Sequence, residues 1–321
     1  MRSGILTIDK PQNMTSFDVV AILRRVLGTK KIGHLGTLDP MAEGVLPIAV
    51  GKAARIMEYL DADLKEYVCT ARFGLRTDTL DIWGETLEEA DTAFLTRERT
   101  EEALLGFRGT GEQVPPMYSA LKVNGRKLYE YARAGKTLDL PSRPVAFPEI
   151  ELMGFTPAKE DTPAEATFRV VCTKGTYIRS LVRDLGEALG CGAAMSRLVR
   201  TASGVFWQHM AIPAMALKTM TAAELEERMM PIETALNDFG WAETGGDWET
   251  RLFTNGVALR ADQWRVRNAP RFEKSDFYLP LKPMLRHAYR VRSPEGVFLG
   301  VGIEGEDGGL TADKIFLEQE T

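Results

Sequence analysis

The sequence predicts an α+β fold, in which helices pack on an antiparallel or mixed sheet and a small β-rich domain follows. Helix-like and strand-like segments occur without the regular βαβ alternation of a parallel sheet. No internal repeat is visible along the 321 residues, a length that suits one large and one small domain. The pattern breaks around residues 241–246. We therefore predict a large domain over residues 1–244 and a small β-rich domain over 245–321.

The clearest elements of the large domain follow from periodicity. Thr15 and Asp18 form a capping box, and apolar residues at helical spacing continue up to Gly28, which predicts a helix over residues 16–27. Polar and apolar residues alternate around Tyr67 and again over 168–172, which is typical of strands with two different faces. A second helix is expected after the latter strand, with Thr176 as its cap. Its apolar stripe is Ile178, Leu181, Val182, Leu185 and Leu189, and Gly190 ends it.

Two further segments complete the predicted organisation. The small domain shows strand-like residues over 289–292 and 297–303, separated by a turn at residues 294–296. Residues 117–143 contain a short helix at 128–132 among basic residues and lack obvious pairing strands, so we interpret them as an insertion.

Basic residues are concentrated in two parts of an acidic chain. The formal net charge is −5, which by itself argues against a simple polyanion binder. Residues 115–145 and 169–200 nevertheless each carry six basic against two acidic side chains, while 224–249 hold eight acidic residues against one arginine. These runs predict one basic and one acidic face, although solvated surface charge is the alternative reading for any single run.

The composition excludes several classes of site and location. Three cysteines and three histidines are scattered without metal-ligand spacing, so we expect neither disulfides nor a metal. No apolar run approaches the roughly 20 residues that span a bilayer. The N-terminus becomes polar at Asp9 before a signal-peptide core could form. We expect a cytoplasmic protein without membrane contact.

A glycine-rich loop over residues 31–40 is the strongest candidate for a functional site. Gly33 and Gly36 permit unusual backbone angles, and Pro40 biases Asp39 away from the helical region, so the loop can present one carboxylate in a fixed direction. The structural alternative is that Asp39 caps a helix that begins near Ala42.

Several motifs resemble those of one enzyme family. The segment Gly33-His34-Leu35-Gly36-Thr37-Leu38-Asp39-Pro40, preceded by Asp9-Lys10-Pro11 and Thr15-Ser16, resembles the signature of the TruB family of tRNA pseudouridine-55 synthases. Further similar segments are Arg76 to Asp81, Phe107 to Gly109, Pro115 to Lys122 and Lys174 to Arg179. The resemblance covers residues 1 to about 210, and the tail is more weakly similar to a PUA-like RNA-binding domain.

The resemblance implies an isomerase with tRNA, through its T-arm, as substrate. Such an enzyme breaks the N1–C1′ bond of uridine, turns the base and rejoins it through C5, without any cofactor or metal. Asp39 matches the essential carboxylate, which either adds covalently to the nucleotide or removes the C2′ proton. The sequence does not choose between these routes.

Other site residues are assigned by the same matching. Arg179 is expected to pair with Asp39 and keep it ionised, and Tyr67 to stack on the flipped uracil, where it or a water takes the C5 proton. Without the match, a surface arginine and a core tyrosine would be the ordinary interpretations. The residues expected to bind substrate are His34, Tyr177, Leu198 and Lys10.

The insertion at 117–143 resembles the family's thumb, which closes on the T-loop. Its Lys122, Arg126 and Lys127 are the expected phosphate contacts. Asn13 and Trp83 replace residues that the family pattern would lead us to expect, namely a glycine and a small or polar side chain. Asn13 can still adopt a left-handed turn.

Three other functions fit part of the sequence. A tRNA-binding protein without activity would be expected to lose Asp39 or Arg179, and both are present. A pseudouridine synthase for another RNA is distinguished by a target assay. A glycosidase would need a second catalytic carboxylate, which the sequence does not place.

As for oligomeric state, we expect a monomer.

Overall fold

A mixed sheet forms the centre of the larger part of the chain. The structure is a computed structural model that describes residues 2–62, 64–160, 162–271 and 283–317. Within those ranges the sheet has nine strands, with both parallel and antiparallel neighbours. The predicted α+β class with a mixed sheet is confirmed.

The described strands are numbered in chain order. They are β1 (Gly4–Lys10), β2 (Ile32–His34), β3 (Glu43–Val50), β4 (Lys65–Phe73), β5 (Leu75–Thr77), β6 (Thr86–Glu89), β7 (Gly109–Gln113), β8 (Lys122–Val123), β9 (Arg126–Lys127), β10 (Arg143–Phe147), β11 (Glu149–Thr156), β12 (Glu165–Cys172), β13 (Ala193–Ser203), β14 (Phe206–Trp207), β15 (Ile212–Pro213), β16 (Gly240–Thr244), β17 (Trp264–Asn268), β18 (Ala288–Arg292), β19 (Phe298–Glu304) and β20 (Leu310–Ile315). The large sheet runs β11-β12-β4-β13-β3-β1-β15, with β14 on β13 and β2 on β3.

The described helices lie between these strands. They are α1 (Ser16–Leu27), α2 (Arg97–Leu105), α3 (Leu128–Arg133), α4 (Ile178–Leu189), α5 (Ala222–Glu227), α6 (Ile232–Ala235) and α7 (Asp247–Thr254), with 3₁₀ segments at Gly51–Ala62, Gln208–Met210, Ala214–Lys218 and Pro283–His287. Within the described ranges, no helix combines the length and the apolar character needed to cross a membrane.

Helix α1 confirms the predicted capping box, whereas the predicted cap of α4 is wrong. The Thr15 side chain accepts a hydrogen bond from the Asp18 backbone, and Gly28 ends α1 with φ 63°. In α4 the cap is Tyr177, not Thr176. The Tyr177 N–H donates to the Gln113 side-chain oxygen at 2.8 Å, so the chain enters the helix one residue later.

Strands β4 and β13 lie side by side at the middle of the large sheet. Alternate residues of β4 are buried, and α4 covers the sheet with the predicted apolar stripe. Each fully buried aliphatic or aromatic side chain contributes about 1.5–3 kcal/mol of burial free energy. The ends of β4, β13 and α4 therefore form a rigid frame for the loops between them.

The insertion is a small hairpin followed by a short helix. Strands β8 and β9 pair with Lys122 opposite Lys127, and Asn124 and Gly125 both take positive φ in the two-residue turn. Helix α3 begins at Leu128, as the sequence predicts, and ends at Arg133. The pairing strands that were not apparent in the sequence are only two residues long.

The C-terminal sheet has the order β17-β16-β18-β19-β20. It begins with β16 at Gly240, ahead of the predicted division at residue 245. Its apolar residues share a core with the larger part of the chain. This common core contains Val45, Ala49, Ile56 and Tyr59 together with Leu285, Val301 and Phe316.

Deletion of residues 245–321 is expected to destabilise the remaining chain. It removes four strands of the small sheet and exposes the core side of Val45 and Ile56. Each lost large apolar partner, such as Leu285, Val301 or Phe316, costs about 1.5–3 kcal/mol. Urea denaturation should show a lower midpoint for the truncated protein. An unchanged midpoint would mean that the shared core contributes nothing to the larger part.

Candidate active site

The loop that carries Asp39 is a turn between two strands. It connects β2 to β3, and Glu43 already belongs to the strand, so the interpretation of Asp39 as a helix cap is wrong. Gly36 takes φ 103°, which favours glycine, whereas Gly33 lies in the strand without positive φ. Only one of the two predicted special glycines therefore shapes the loop.

A second turn supports this loop on both sides of Asp39. The Ser16 hydroxyl accepts from the Leu38 N–H at 2.9 Å and donates to the Leu38 carbonyl at 3.1 Å. The Asn13 N–H donates to the Pro40 carbonyl at 2.9 Å. Asn13 has φ 63°, which confirms that asparagine supplies the left-handed turn here. Asp39 is thus held between two braced neighbours.

Arg179 joins the loop to the rest of the site. Its Nη2 lies 2.9 Å from an Asp39 carboxylate oxygen, and the arginine is 5% exposed. It also donates to the carbonyls of Thr79 and Tyr118, both at 2.9 Å. The interpretation of Arg179 as a surface charge is wrong, because its guanidinium is buried and its donors are directed at fixed acceptors.

Asp81 is a second carboxylate near this guanidinium, and sequence reasoning did not select it. Its Oδ2 lies 4.0 Å from Arg179 Nη1. Its Oδ1 accepts from the Thr79 hydroxyl at 2.9 Å and from the Trp83 N–H at 3.0 Å. Burial raises the pKa of Asp81, against these hydrogen bonds and the Arg179 charge. The sequence signal that could have selected Asp81 is its position in the segment Arg76 to Asp81, which resembles the family's motifs.

Five of the predicted residues line one cavity of about 360 Å³. They are Asp39, Tyr67, Tyr177, Arg179 and Leu198. Pockets that enclose small ligands start at about 300 Å³, so the space suits a nucleoside-sized group. Lys65 and Lys174 also contribute to the wall.

Tyr67 is buried and borders this cavity. Burial raises the pKa of its phenol, and the charge of Arg200, which lies beside it, acts in the opposite direction. Tyr177 stands at the start of α4, where burial also raises its pKa. Leu198 lies on β13 with 6% exposure and supplies an apolar contact. These three side chains supply aromatic and aliphatic surface to the cavity that Asp39 also lines.

His34 borders a neighbouring cavity of about 290 Å³ instead. The two cavities share Thr37, Lys65 and Lys174, so they adjoin. Burial lowers the pKa of His34, which keeps the ring neutral at pH 7. Its Nδ1 is buried and has no hydrogen-bond partner among the described residues.

Lys10 does not reach either cavity. It is fully buried, and its ammonium donates to the carbonyls of Pro11 at 2.9 Å and Met14 at 2.8 Å. Burial lowers its pKa to about 8, although the Asp39 charge acts in the opposite direction. The sequence assigned Lys10 to substrate binding, whereas the structure directs its ammonium at the carbonyls of the turn that braces the loop.

The three insertion residues expected to contact phosphates do not line the cavity. Lys122 and Arg126 are exposed, and Lys127 is half-buried. Ser119, Ala120 and Leu121, which precede the hairpin, line the cavity itself. Among the described residues no group of three or more His, Cys, Asp or Glu side chains is arranged to hold a metal ion.

The fold and this site together present one carboxylate, paired with a buried arginine, in a cavity of nucleoside size. Comparison with known families identifies the protein further. Residues 24–178 match the N-terminal domain of TruB family pseudouridylate synthases, and residues 179–237 match the tRNA pseudouridylate synthase B C-terminal domain. The chain belongs to the TruB family, whose members isomerise uridine to pseudouridine.

Similar proteins extend over the whole chain. A protein of Clostridium novyi named tRNA pseudouridine synthase B is 39% identical over 98% of this chain and all of its own length. One of the same name from Shouchella clausii is 44% identical over 80% of this chain and 85% of its own. This resemblance supports the family assignment that the motifs predict.

A solved structure shares the fold at lower identity. An H/ACA ribonucleoprotein bound to a substrate RNA containing 2′-deoxyuridine includes a chain with TM-score 0.69 and 24% identity, covering 98% of this chain and 85% of that one. An archaeal Nop10–Cbf5 complex gives TM-score 0.68 and 22% identity, covering 98% and 86%. Both agree with the fold described above.

Proposed function

We propose that the protein converts uridine-55 in the T-loop of tRNA to pseudouridine, as a cytoplasmic monomer, with Asp39 as the catalytic carboxylate. The observation that carries the proposal is the 2.9 Å pair of Asp39 and buried Arg179 in a cavity of nucleoside size. The names of the full-length relatives support tRNA as the substrate class. The motif resemblance supports the position within the T-loop.

The reaction rearranges bonds within one nucleotide. The N1–C1′ bond breaks, the uracil turns, and a C5–C1′ bond forms, while the C5 proton leaves and N1 gains one. Asp39 either adds covalently or removes the C2′ proton, and both routes need an ionised carboxylate held at a fixed position. Arg179 supplies that position through three directed contacts. Tyr67 packs against the uracil, and its phenol or a water takes the C5 proton.

The target nucleotide has to leave its base stack to enter the cavity. Unstacking costs a few kcal/mol, which contacts to phosphates and neighbouring bases offset. His34 is neutral and lines the adjoining cavity, so it suits a contact with RNA next to the flipped nucleotide of the T-loop. The basic residues of the insertion suit contacts with the phosphate backbone of the RNA.

Lys122 and Lys127 support this role for the insertion. They are cross-strand partners in the β8–β9 hairpin. Like charges at such positions destabilise a hairpin, so an anionic partner would relieve the repulsion. We propose that they contact T-arm phosphates together with Arg126, and that the C-terminal sheet is a PUA-like domain that also binds RNA.

The double substitution Lys122→Ala with Lys127→Ala is expected to weaken RNA binding and flatten its salt dependence. Each lost phosphate contact lowers the slope of log K against log salt by up to about one unit. Binding isotherms at several salt concentrations measure this slope. Lys159→Ala, at an exposed lysine that lines neither cavity, is the control. An unchanged slope would exclude phosphate contacts by the hairpin.

The proposed target is tested by mapping the product. Purified protein is incubated with a full tRNA transcript, with the same transcript carrying cytidine at position 55, and with ribosomal RNA fragments. Chemical mapping should find pseudouridine at position 55 of the first alone. Modification of a ribosomal fragment but not of tRNA would overturn the assignment in favour of another RNA target.

A further inference from the structure

Arg200 on β13 is a buried charge that the proposed chemistry does not yet use. Its side chain is 0% exposed, and with Lys10 it heads the largest fully buried side chains of the described residues. A buried charge is costly unless its donors are directed at acceptors. The hydrogen-bond acceptors around this guanidinium therefore indicate its role in the protein.

Two of those partners flank Asp39 in the sequence. Arg200 Nε donates to the Val45 carbonyl at 2.7 Å, and Nη1 donates to the Thr37 carbonyl at 3.4 Å. Thr37 lies two residues before Asp39, and Val45 lies in β3 behind the loop. One rigid guanidinium thus connects both ends of the segment that presents the carboxylate.

The third neighbour is Tyr67. The pairing of β13 with β4 places Arg200 directly opposite Tyr67, and the positive charge of the guanidinium acts against the rise in the pKa of the phenol that burial causes. The same arginine therefore bonds the Asp39 loop and lies opposite Tyr67 in the sheet. Its Nη2 is buried without a hydrogen-bond partner in the described part of the chain.

The main chain of Arg200 is itself fixed. Gly44 of β3 pairs with it and has φ 97°, and a Cβ at Gly44 would lie 2.2 Å from the Arg200 carbonyl oxygen. Such close backbone packing allows little movement of β13 against the loop. The guanidinium consequently extends from a point that is rigid relative to β3 and β4.

We propose that Arg200 is a positioning residue that holds the Asp39 loop and the Tyr67 phenol at a fixed separation across the target uracil. The inference rests on the proposed function. Arginine suits the task because its planar fork offers five donors and stays charged at all working pH values. A lysine in its place has one nitrogen and cannot reproduce the two separate bonds of the fork to the Val45 and Thr37 carbonyls.

The test measures single-turnover release of tritium from the uracil C5 of a T-arm transcript. Arg200→Lys should slow release about 100-fold, because a displacement of about 1 Å in reacting groups has that effect. Affinity for the RNA should stay within about threefold, or 0.7 kcal/mol. Arg72→Lys, at a partly exposed arginine of β4 that pairs with Glu165, is the matched control and should retain the parent rate.

A double-mutant cycle separates positioning through Tyr67 from a general loss of structure. If Arg200 acts through the phenol, Arg200→Lys with Tyr67→Phe should be no more than about threefold slower than the slower single variant. Losses that multiply would contradict that role. Thermal melting confirms that each variant is folded.

Arg200→Gln provides a second variant, because it avoids burying an ammonium if Arg200→Lys does not fold. A folded variant of either kind with a rate within about threefold of the parent would overturn the inference. Parent protein that releases no tritium would instead reject the proposed function. The two failures are therefore distinguishable.

Discussion

The Asp39→Asn protein is expected to bind tRNA and to release no measurable C5 tritium. Asparagine keeps the size of the side chain and an oxygen that can accept from Arg179, but it removes the charge that attack or proton abstraction needs. Loss of a nucleophile or base typically costs on the order of 10⁴-fold or more. Asp81 cannot substitute, because it does not line the cavity: its Oδ1 accepts from Thr79 and Trp83, and its Oδ2 lies 4.0 Å from Arg179.

The same substitution should leave the fold intact. The Asp39 side chain is 38% exposed, and Arg179 retains the carbonyls of Thr79 and Tyr118. Asp91→Asn makes the same chemical change at an exposed turn, where the carboxylate accepts from the Ala93 N–H, and serves as control. Tritium release by Asp39→Asn within about tenfold of the parent would mean that another residue carries the reaction.

Arg179→Lys is expected to produce the second largest loss. The lysine ammonium cannot replace a fork that bonds the Thr79 and Tyr118 carbonyls while it holds Asp39. A misplaced carboxylate lowers the single-turnover rate by about 100-fold or more. The free energy of unfolding should also fall by about 1–3 kcal/mol for each buried acceptor left without a donor.

Kinetics and denaturation of the same preparation test both expectations. Arg183→Lys is the matched control, since Arg183 lies one turn further along α4 and pairs with Asp184. It should retain the parent rate. An Arg179→Lys protein that is destabilised yet fully active would show that Arg179 is structural only.

Local patterns predicted the helices and strands that position the site. The capping box at Thr15 and the apolar stripe of α4 depend on neighbours close in sequence, and both are observed. The Asp39 loop was predicted from its glycines and proline, yet its bracing by Ser16 and Asn13 was not. Those contacts join residues over twenty positions apart, which no periodicity encodes.

Charged residues were the hardest to interpret from sequence. Arg200 and Lys10 belong to types that normally face solvent, yet both are completely buried. The carbonyls that accept from Arg200 come from a distant segment, whereas those that accept from Lys10 are on the nearby Pro11 and Met14. Asp81 was not selected because its proximity to Arg179 joins residues almost a hundred positions apart. The motif resemblance selected Arg179 correctly as the partner of Asp39, and geometry alone could add Asp81 and Arg200.

Tritium release is the most direct measurement of the central claim that Asp39 drives isomerisation within one nucleotide. A T-arm transcript labelled at uracil C5 is incubated with excess protein, and both released tritium and RNA length are followed. The parent should release the label of one uridine per RNA while the RNA keeps its full length, and Asp39→Asn should release none. Cleaved RNA, free uracil, or equal release by Asp39→Asn would contradict the account.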